Sequence, residues 1–227
     1  MRIRSVFKQF GWIDGALYGI SRVLEKASGH RLRLVKYYLV AQPIGARSAS
    51  PVRQDASATI RRIERDDPLV AHLPRPQAIM SRRFDAGATC TALLMRGEFA
   101  GFIWLQSGCY EEDELRCTFV LQMQKVSVWD FDVYVEPKYR IGRAMARLWS
   151  HVDAELAAQG IQWSFSRISA FNSASLASHA RLGAEVCGSA VFVLIGPLQL
   201  SWLPEFPYVH ASFSELHRPV VRLRPPR

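Results

Sequence analysis

The chain has 227 residues, of which 49% are hydrophobic and 22% charged, and a formal net charge of +9. That apolar content can build a sizeable core and excludes a disordered chain, a collagen-like repeat and a small disulfide scaffold. The charge is uneven: residues 1–66 carry 13 basic and 5 acidic groups, 67–137 carry 6 and 10, and 138–227 carry 10 and 5.

The first predicted element is an amphipathic helix over Phe10–Lys26. Phe10, Ile13, Leu17, Ile20 and Leu24 recur at three- and four-residue steps, and Arg2, Arg4, Lys8, Arg22 and Lys26 make the segment basic. Two uses fit it: packing on the domain, or weak contact with an anionic membrane surface. Leu32–Ile44 reads as a strand and Ala46–Ala58 as a loop. A helical region spans Asp67–Ala86 and is interrupted by Pro74 and Pro76. Thr89–Met95 and Phe99–Gln106 form a hairpin about Arg96-Gly97-Glu98. Leu115–Gln122 and Val126–Val135 are strands, Ile141–Ala158 a helix, Ile161–Ser169 a strand and Ser173–Leu182 a helix closed by Gly183. One or two strands follow over Ala184–Ile195. From Pro197 the chain has several prolines and few regular signals. The expected organisation is a basic N-terminal helix (1–31), one α/β domain (32–196) with a mixed sheet, and a Pro-containing extension (197–227).

The longest apolar run, Ala190–Ile195, is far too short to span a bilayer. No charged-then-apolar leader opens the chain, so the expectation is a soluble cytoplasmic protein. The cysteines Cys90, Cys109, Cys117 and Cys187 include no C-x-x-C. They are expected to be reduced, buried small hydrophobes, and no metal site is expected. Gly-x-Ser-x-Gly, a P-loop and a nucleic-acid recognition module are all missing from the sequence.

Two stretches carry chemistry. Between strand Val126–Val135 and the next helix the sequence reads Glu136-Pro137-Lys138-Tyr139-Arg140-Ile141-Gly142-Arg143-Ala144. Pro137 stops the strand, Gly142 and Ala144 are small, and Lys138, Arg140 and Arg143 are basic. A helix start of this kind suits a pyrophosphate, because its free N–H groups face the anion; the alternative is a basic helix start with no ligand. Downstream, Asn172-Ser173-Ala174-Ser175 opens a helix that closes on Arg181-Leu182-Gly183-Ala184.

The two stretches, in this order and separated by one helix and one strand, resemble the pyrophosphate loop and the Asn-x-x-Ser…Arg-Leu-Gly signature of the GNAT superfamily of acyl-CoA-dependent N-acyltransferases. The resemblance covers roughly residues 89–196. Tyr139 stands where the family's loop opens on Gln or Arg, with Arg140 one place later. His179 stands where the family often has Tyr, and Ala184 where it has Phe. A GNAT-like fold is implied: a mostly antiparallel first half, then strand–helix–strand–helix–strand.

The resemblance further implies an acyl-CoA co-substrate, most simply acetyl-CoA. It lies in a V where the strand Val128–Val135 splays from Ile161–Ser169. Backbone groups of Val133, Tyr134 and Val135 pair with the pantetheine arm, and Arg140, Ile141, Gly142, Arg143 and Ala144 hold the pyrophosphate. Asn172 and Ser175 complete the cofactor contacts. An amine acceptor, small molecule or protein, attacks the thioester directly.

Two proton transfers then need residues. His179 can protonate the leaving thiolate; its alternative is a helix-surface histidine without a role. For the amine proton, Trp129-Asp130-Phe131-Asp132-Val133-Tyr134 alternates and puts Asp130 and Asp132 on one face. These carboxylates are either functional or ion-paired, with Arg167 the expected partner. The acidic run Glu111, Glu112, Asp113 and Glu114 is either a solvated turn or a patch that draws a cationic acceptor. Other readings left open are a long-chain acyltransferase docked on a membrane, a non-catalytic acyl-CoA or protein binder, and a homodimer.

Overall fold

The computed structural model describes residues 3–29, 31–45, 57–141 and 143–226. The chain divides into two units. A central unit comprises Pro43–Cys109 and Met123–Ser164, and a terminal unit comprises Met1–Gln42, Tyr110–Gln122 and Phe165–Arg227.

In the central unit, β2 (Ala58–Ile63), β3 (Thr89–Met95), β4 (Glu98–Gln106) and β7 (Ser127–Val135) lie in the order β7-β4-β3-β2, each pair antiparallel. The β3–β4 turn is Arg96-Gly97, with φ of 53° and 79°. Two successive positive φ values give a turn whose twist matches the strands it joins. Gly101 on β4 is required by close approach, since a Cβ there would meet the Tyr134 carbonyl oxygen.

One face of this sheet presents Cys90, Ala92, Phe102 and Trp104 to Val70 and Leu73 of the 3-10 turn Pro68–His72 region and to Met80 of α2 (Gln77–Asp85). The prolines at 74 and 76 split the expected helical region into these two pieces. α3 (Ala144–Ala158) buries Leu148, Val152 and Leu156 at four-residue steps, with Trp149 beside them. It starts three residues later than its apolar pattern suggests, because Pro137–Tyr139 forms a 3-10 turn first.

The terminal unit holds α1 (Ile3–Ala27), β1 (Leu32–Pro43), β5 (Cys109–Glu111), β6 (Thr118–Leu121), β8 (Trp163–Ser169), α4 (Ser173–Arg181), β9 (Glu185–Ile195), β10 (Leu198–Trp202), β11 (Val209–Ser212) and β12 (Val220–Leu223). Its strand orders are β11-β10-β9-β1-β8 and β12-β6-β5, with β12 parallel to β6. β5 and β8 each run across a unit boundary, at Cys109/Tyr110 and Ser164/Phe165.

The tail after Pro197 is therefore built into the fold instead of extending from it. Buried Gln199 accepts from the Arg116 N–H at 3.0 Å and donates to the Arg116 carbonyl at 2.6 Å, so its amide acts as a missing strand partner. Val221 and Leu223 of β12 are buried too.

On α1, Asp14 is buried and accepts from Lys36 Nζ at 2.7 Å and from the Tyr38 hydroxyl at 2.6 Å. The Ser21 hydroxyl donates to the Leu34 carbonyl at 3.0 Å. The apolar stripe read from the sequence divides in two. Leu17 and Leu24 are half-buried, whereas Trp12, Ile13, Ile20 and Val23 are 80%, 74%, 49% and 67% exposed. Among the described residues no helix is long and apolar enough to cross a membrane. All four cysteines are free; Cys90 and Cys117 are buried as expected, but Cys109 and Cys187 are exposed.

Candidate functional site

The joint between β7 and α3 belongs to the central unit. Val133, Tyr134 and Val135 pair with Ile103, Phe102 and Gly101 of β4. After Pro137 the chain turns through Tyr139 N–H to the Glu136 carbonyl at 2.8 Å. Arg140 donates from Nε to the Val135 carbonyl at 2.8 Å and lies over the Tyr134 ring at 5.8 Å. That bond fastens the loop to the end of β7. Ile141 is fully exposed, Arg143 exposed and Ala144 buried. Gly142 lies outside the described residues.

α3 opens at Ala144 with no side-chain cap, and the Arg147 N–H donates to the Arg143 carbonyl at 2.9 Å. The first-turn N–H groups of a helix point out of its start, and the helix dipole adds positive potential at the same end. Lys138 contributes less than expected, because it pairs with Glu98.

The carboxylates of β7 do not share one face. The register runs Trp104 to Asp132 and then Leu105 to Asp130, so Phe131 is an extra residue and β7 bulges there. Alternation therefore breaks between the two. Asp130 is buried and accepts from the Ser164 hydroxyl at 2.6 Å. Asp132 accepts from Arg75 Nε at 2.7 Å and Nη2 at 2.6 Å, and from Arg83 Nη1 at 2.7 Å. Its partners are these two arginines and not Arg167.

Arg167 instead holds Glu112, in the terminal unit. Its Nη2 donates to Glu112 Oε1 at 2.5 Å and its Nε to Oε2. Glu112 is 2% exposed, and the Glu114 N–H donates to it at 3.3 Å. Burial pushes the Glu112 carboxyl up from its ordinary value and Arg167 opposes it. The Arg167 guanidinium stacks over Tyr37 at 4.6 Å. The expectation of an open acceptor patch fails for Glu112, whose oxygens face a guanidinium. Glu111 and Glu114 are exposed and Asp113 half-buried.

Also in the terminal unit, Asn172 caps α4: its side-chain oxygen accepts from the Ser175 N–H at 3.1 Å. His179 lies one turn beyond Ser175 and is buried rather than on the helix surface. Its Nδ1 is 2.9 Å from the Ser175 carbonyl. A carbonyl only accepts, so Nδ1 carries the hydrogen, and a neutral ring offers Nε2 as an acceptor.

The order of strands, the uncapped helix start after β7 and the Asn-capped helix after β8 give a mixed α/β fold whose second half runs strand–helix–strand–helix–strand, as the GNAT resemblance implies. No family model matches the chain, and no curated protein sequence matches it significantly. Solved structures do. A functionally unknown conserved protein from Staphylococcus epidermidis superposes with a TM-score of 0.50 at 11% identity, over 77% of this chain and 67% of that one. A tandem GNAT protein from the clavulanic acid biosynthesis pathway gives 0.48 at 15%, over 74% and 56%. A Salmonella typhimurium protein assigned as an acetyltransferase, solved with its cofactor acetyl-CoA, gives 0.37 at 18%, over 56% and 79%. At such identities the likeness is one of fold, and the chemistry rests on this chain's own residues.

Among the described residues no group of His, Cys, Asp and Glu is placed to hold a metal ion. A cavity of about 140 Å³ in the central unit is lined by Thr89, Thr91, Leu105, Val128, Glu155 and Leu156, among others, and holds none of the expected site residues. Sequence reasoning missed Arg75 and Arg83 as partners of Asp132. The one available signal was Arg75 itself, a basic residue pinned between two prolines.

Proposed function

We propose that the protein is an acyl-CoA-dependent N-acyltransferase, with acetyl-CoA the simplest donor. The observation that carries this reading is the α3 start: a helix with no side-chain cap, after β7 and flanked by Arg140 and Arg143. In this reading the N–H groups of Ala144 to Ala146 and these two arginines receive the pyrophosphate. Backbone groups of Val133 to Val135 align the pantetheine arm, and a β7 N–H polarises the thioester carbonyl.

The amine nitrogen attacks the thioester carbon and the C–S bond breaks. The amine gives up one proton and the thiolate gains one, leaving an amide and free CoA. Holding both reactants together supplies the orientation that direct attack needs. His179, tethered by Ser175, serves the thiolate only when it carries a second proton on Nε2; otherwise water supplies the proton. Asn172 and Ser175 fix the helix that carries it.

The test is release of free thiol from acetyl-CoA across an amine panel. Amine-dependent release supports the reading. Binding of CoA without release from any amine makes the protein a non-catalytic acyl-CoA binder. A second reading concerns where it works. The exposed Trp12, Ile13, Ile20 and Val23 on α1, with Arg22 and Lys26 on the same helix, favour contact with anionic lipid and a longer acyl chain. Sedimentation with phosphatidylglycerol vesicles, repeated with Ile13→Asp/Ile20→Asp, tests it; equal sedimentation of both proteins removes it.

A further inference from the structure

We propose that the open face of β9, β10 and β11 is an interaction surface for a second copy of this chain, and that the partner's α1 lies on it. The proposal does not depend on the acyltransferase reading. The face is set by the strand register of the terminal unit. Leu200 and Trp202 of β10 stand opposite Val193 and Val191 of β9, and opposite Ala211 and Val209 of β11. Residues directly opposite share a face. Ile195 and Phe213 continue the alternation of Val193 and Ala211. All eight are apolar and none is buried. Ile195, Trp202, Val209 and Phe213 are 43%, 43%, 57% and 68% exposed.

The other face of these strands is the buried one, and it carries the polar residues. Gln199, Ser201 and Ser212 are each at most 1% exposed, beside Phe192 of β9. The usual pattern is inverted: polar side chains lie inside and an unbroken apolar face lies outside. Scattered apolar residues are ordinary on a surface, but a contiguous apolar face marks a docking site.

α1 covers this face at β1. Leu34 and Lys36 stand opposite Val193 and Val191, and α1 is fastened over them by the Ser21 and Asp14 bonds. The three strands beyond, at about 4.8 Å spacing, leave a shelf roughly 14 Å wide. That is room for one further helix, about 10–12 Å across. α1 itself carries the matching surface. Ile13, Ile20 and Val23 are exposed, and Ala16 and Gly19 between them are small and exposed, which lets the helix approach a partner closely. A second copy brings that stripe to the shelf, and a two-fold axis makes the same contact twice.

The area suffices. The exposed fractions of Ile13, Ile20, Val23, Ile195, Trp202, Val209 and Phe213 amount to roughly four whole side chains. At about 150–250 Å² each this is roughly 600–1,000 Å² per copy, against about 800 Å² per partner in a standard stable interface. None of these side chains is charged, and Arg22 of α1 is paired with Glu25, so the surface calls for an apolar partner. Lipid contact through α1 would use the same Ile13 and Ile20, and the experiment separates the two occupants.

The experiment is sedimentation equilibrium of the full chain between about 1 and 100 µM. It is repeated with Val209→Asp on the sheet face, Ile20→Asp on α1, and Met123→Asp, a control at an exposed apolar residue of the central unit. Circular dichroism melts report whether each variant folds, and Phe213→Asp repeats the sheet arm from just beyond the end of β11.

The expected result is a dimer with a dissociation constant of about 10 µM or tighter. Val209→Asp and Ile20→Asp should each weaken it at least about 10-fold, because each puts an unpaired charge into the apolar contact. Met123→Asp should leave it unchanged. A wild type that stays monomeric to about 100 µM overturns the proposal; if that monomer sediments with phosphatidylglycerol vesicles, the α1 stripe belongs to lipid. A dimer that survives both Val209→Asp and Phe213→Asp overturns the sheet face as its contact. A dimer that survives Ile20→Asp overturns the helix-on-sheet arrangement.

Discussion

Glu112→Gln separates a structural carboxylate from an acceptor-binding one. In the wild type a carboxylate that is 2% exposed accepts from two N–H groups of Arg167, whose guanidinium also lies over Tyr37. Burial acts to lower the Arg167 value, but Glu112 outweighs it and holds the guanidinium charged. Replacing Glu112 by Gln keeps the shape and one acceptor and leaves that charge buried without a counter-ion. Breaking a buried pair on one side costs about 3–5 kcal/mol. At roughly 2–4 °C per kcal/mol for a chain of this size, the melting temperature should fall by about 6–20 °C. Glu111→Gln removes an exposed carboxylate and should stay within about 0.5 kcal/mol of wild type. Differential scanning calorimetry of both, with the Glu112→Leu/Arg167→Met double variant as the arm that removes both charges, is the assay. The double variant should regain most of the loss. A Glu112→Gln protein that melts like wild type, or one that only raises an acceptor KM, would refute the structural assignment.

Three further outcomes are expected. Lys36 lies above its ordinary value because, although burial lowers it, its bonds to Asp14 and Tyr38 outweigh that; Tyr38 is raised by burial and by Asp14. Both groups hold their protons more tightly when folded, so their stabilisation is full below about pH 10 and is lost as pH rises through the raised values. Asp14→Asn should thus cost about 2 kcal/mol at neutral pH, and melting curves should show the gap to wild type closing above about pH 10.5; a gap independent of pH would count against the assignment. Gly101→Ala should destabilise by about 1–3 kcal/mol in urea unfolding, since the new methyl meets the Tyr134 carbonyl. His179→Ala should lower kcat by about 10²–10⁴ with the KM for acetyl-CoA nearly unchanged, as measured by steady-state thiol release; turnover near wild type would leave water as the acid.

The legible parts of the fold are those with long period or a cap. β7, α3, β8 and α4 fall within three residues of their expected bounds, because Pro137, Asn172 and Gly183 punctuate them. β2 has no counterpart in the sequence reading: an edge strand with both Arg61 and Arg62 exposed carries no apolar alternation. The tail strands are four or five residues long, and β10 is tied in by buried Gln199, a polar residue that no hydrophobic pattern marks.

The site was legible where a motif is local and opaque where partners are distant. The bulge at Phe131 depends on the register with β4, which alternation along β7 alone does not encode. Within Tyr110-Glu111-Glu112 the burial alternates, but a run of four acids masks the pattern, and the countercharge at Arg167 stands 55 positions away. Arg75 and Arg83 are likewise 57 and 49 positions from Asp132.

The central claim, that the α3 start is a phosphate seat for acyl-CoA, is tested most directly by calorimetric titration with CoA and with pantetheine, which shares the arm and lacks the phosphates. The account predicts that CoA binds, that pantetheine binds at least about 10-fold more weakly, as expected when charge-assisted hydrogen bonds are lost, and that Arg143→Glu brings CoA down to the pantetheine level. Equal binding of the two ligands, or CoA binding untouched by Arg143→Glu, would contradict it.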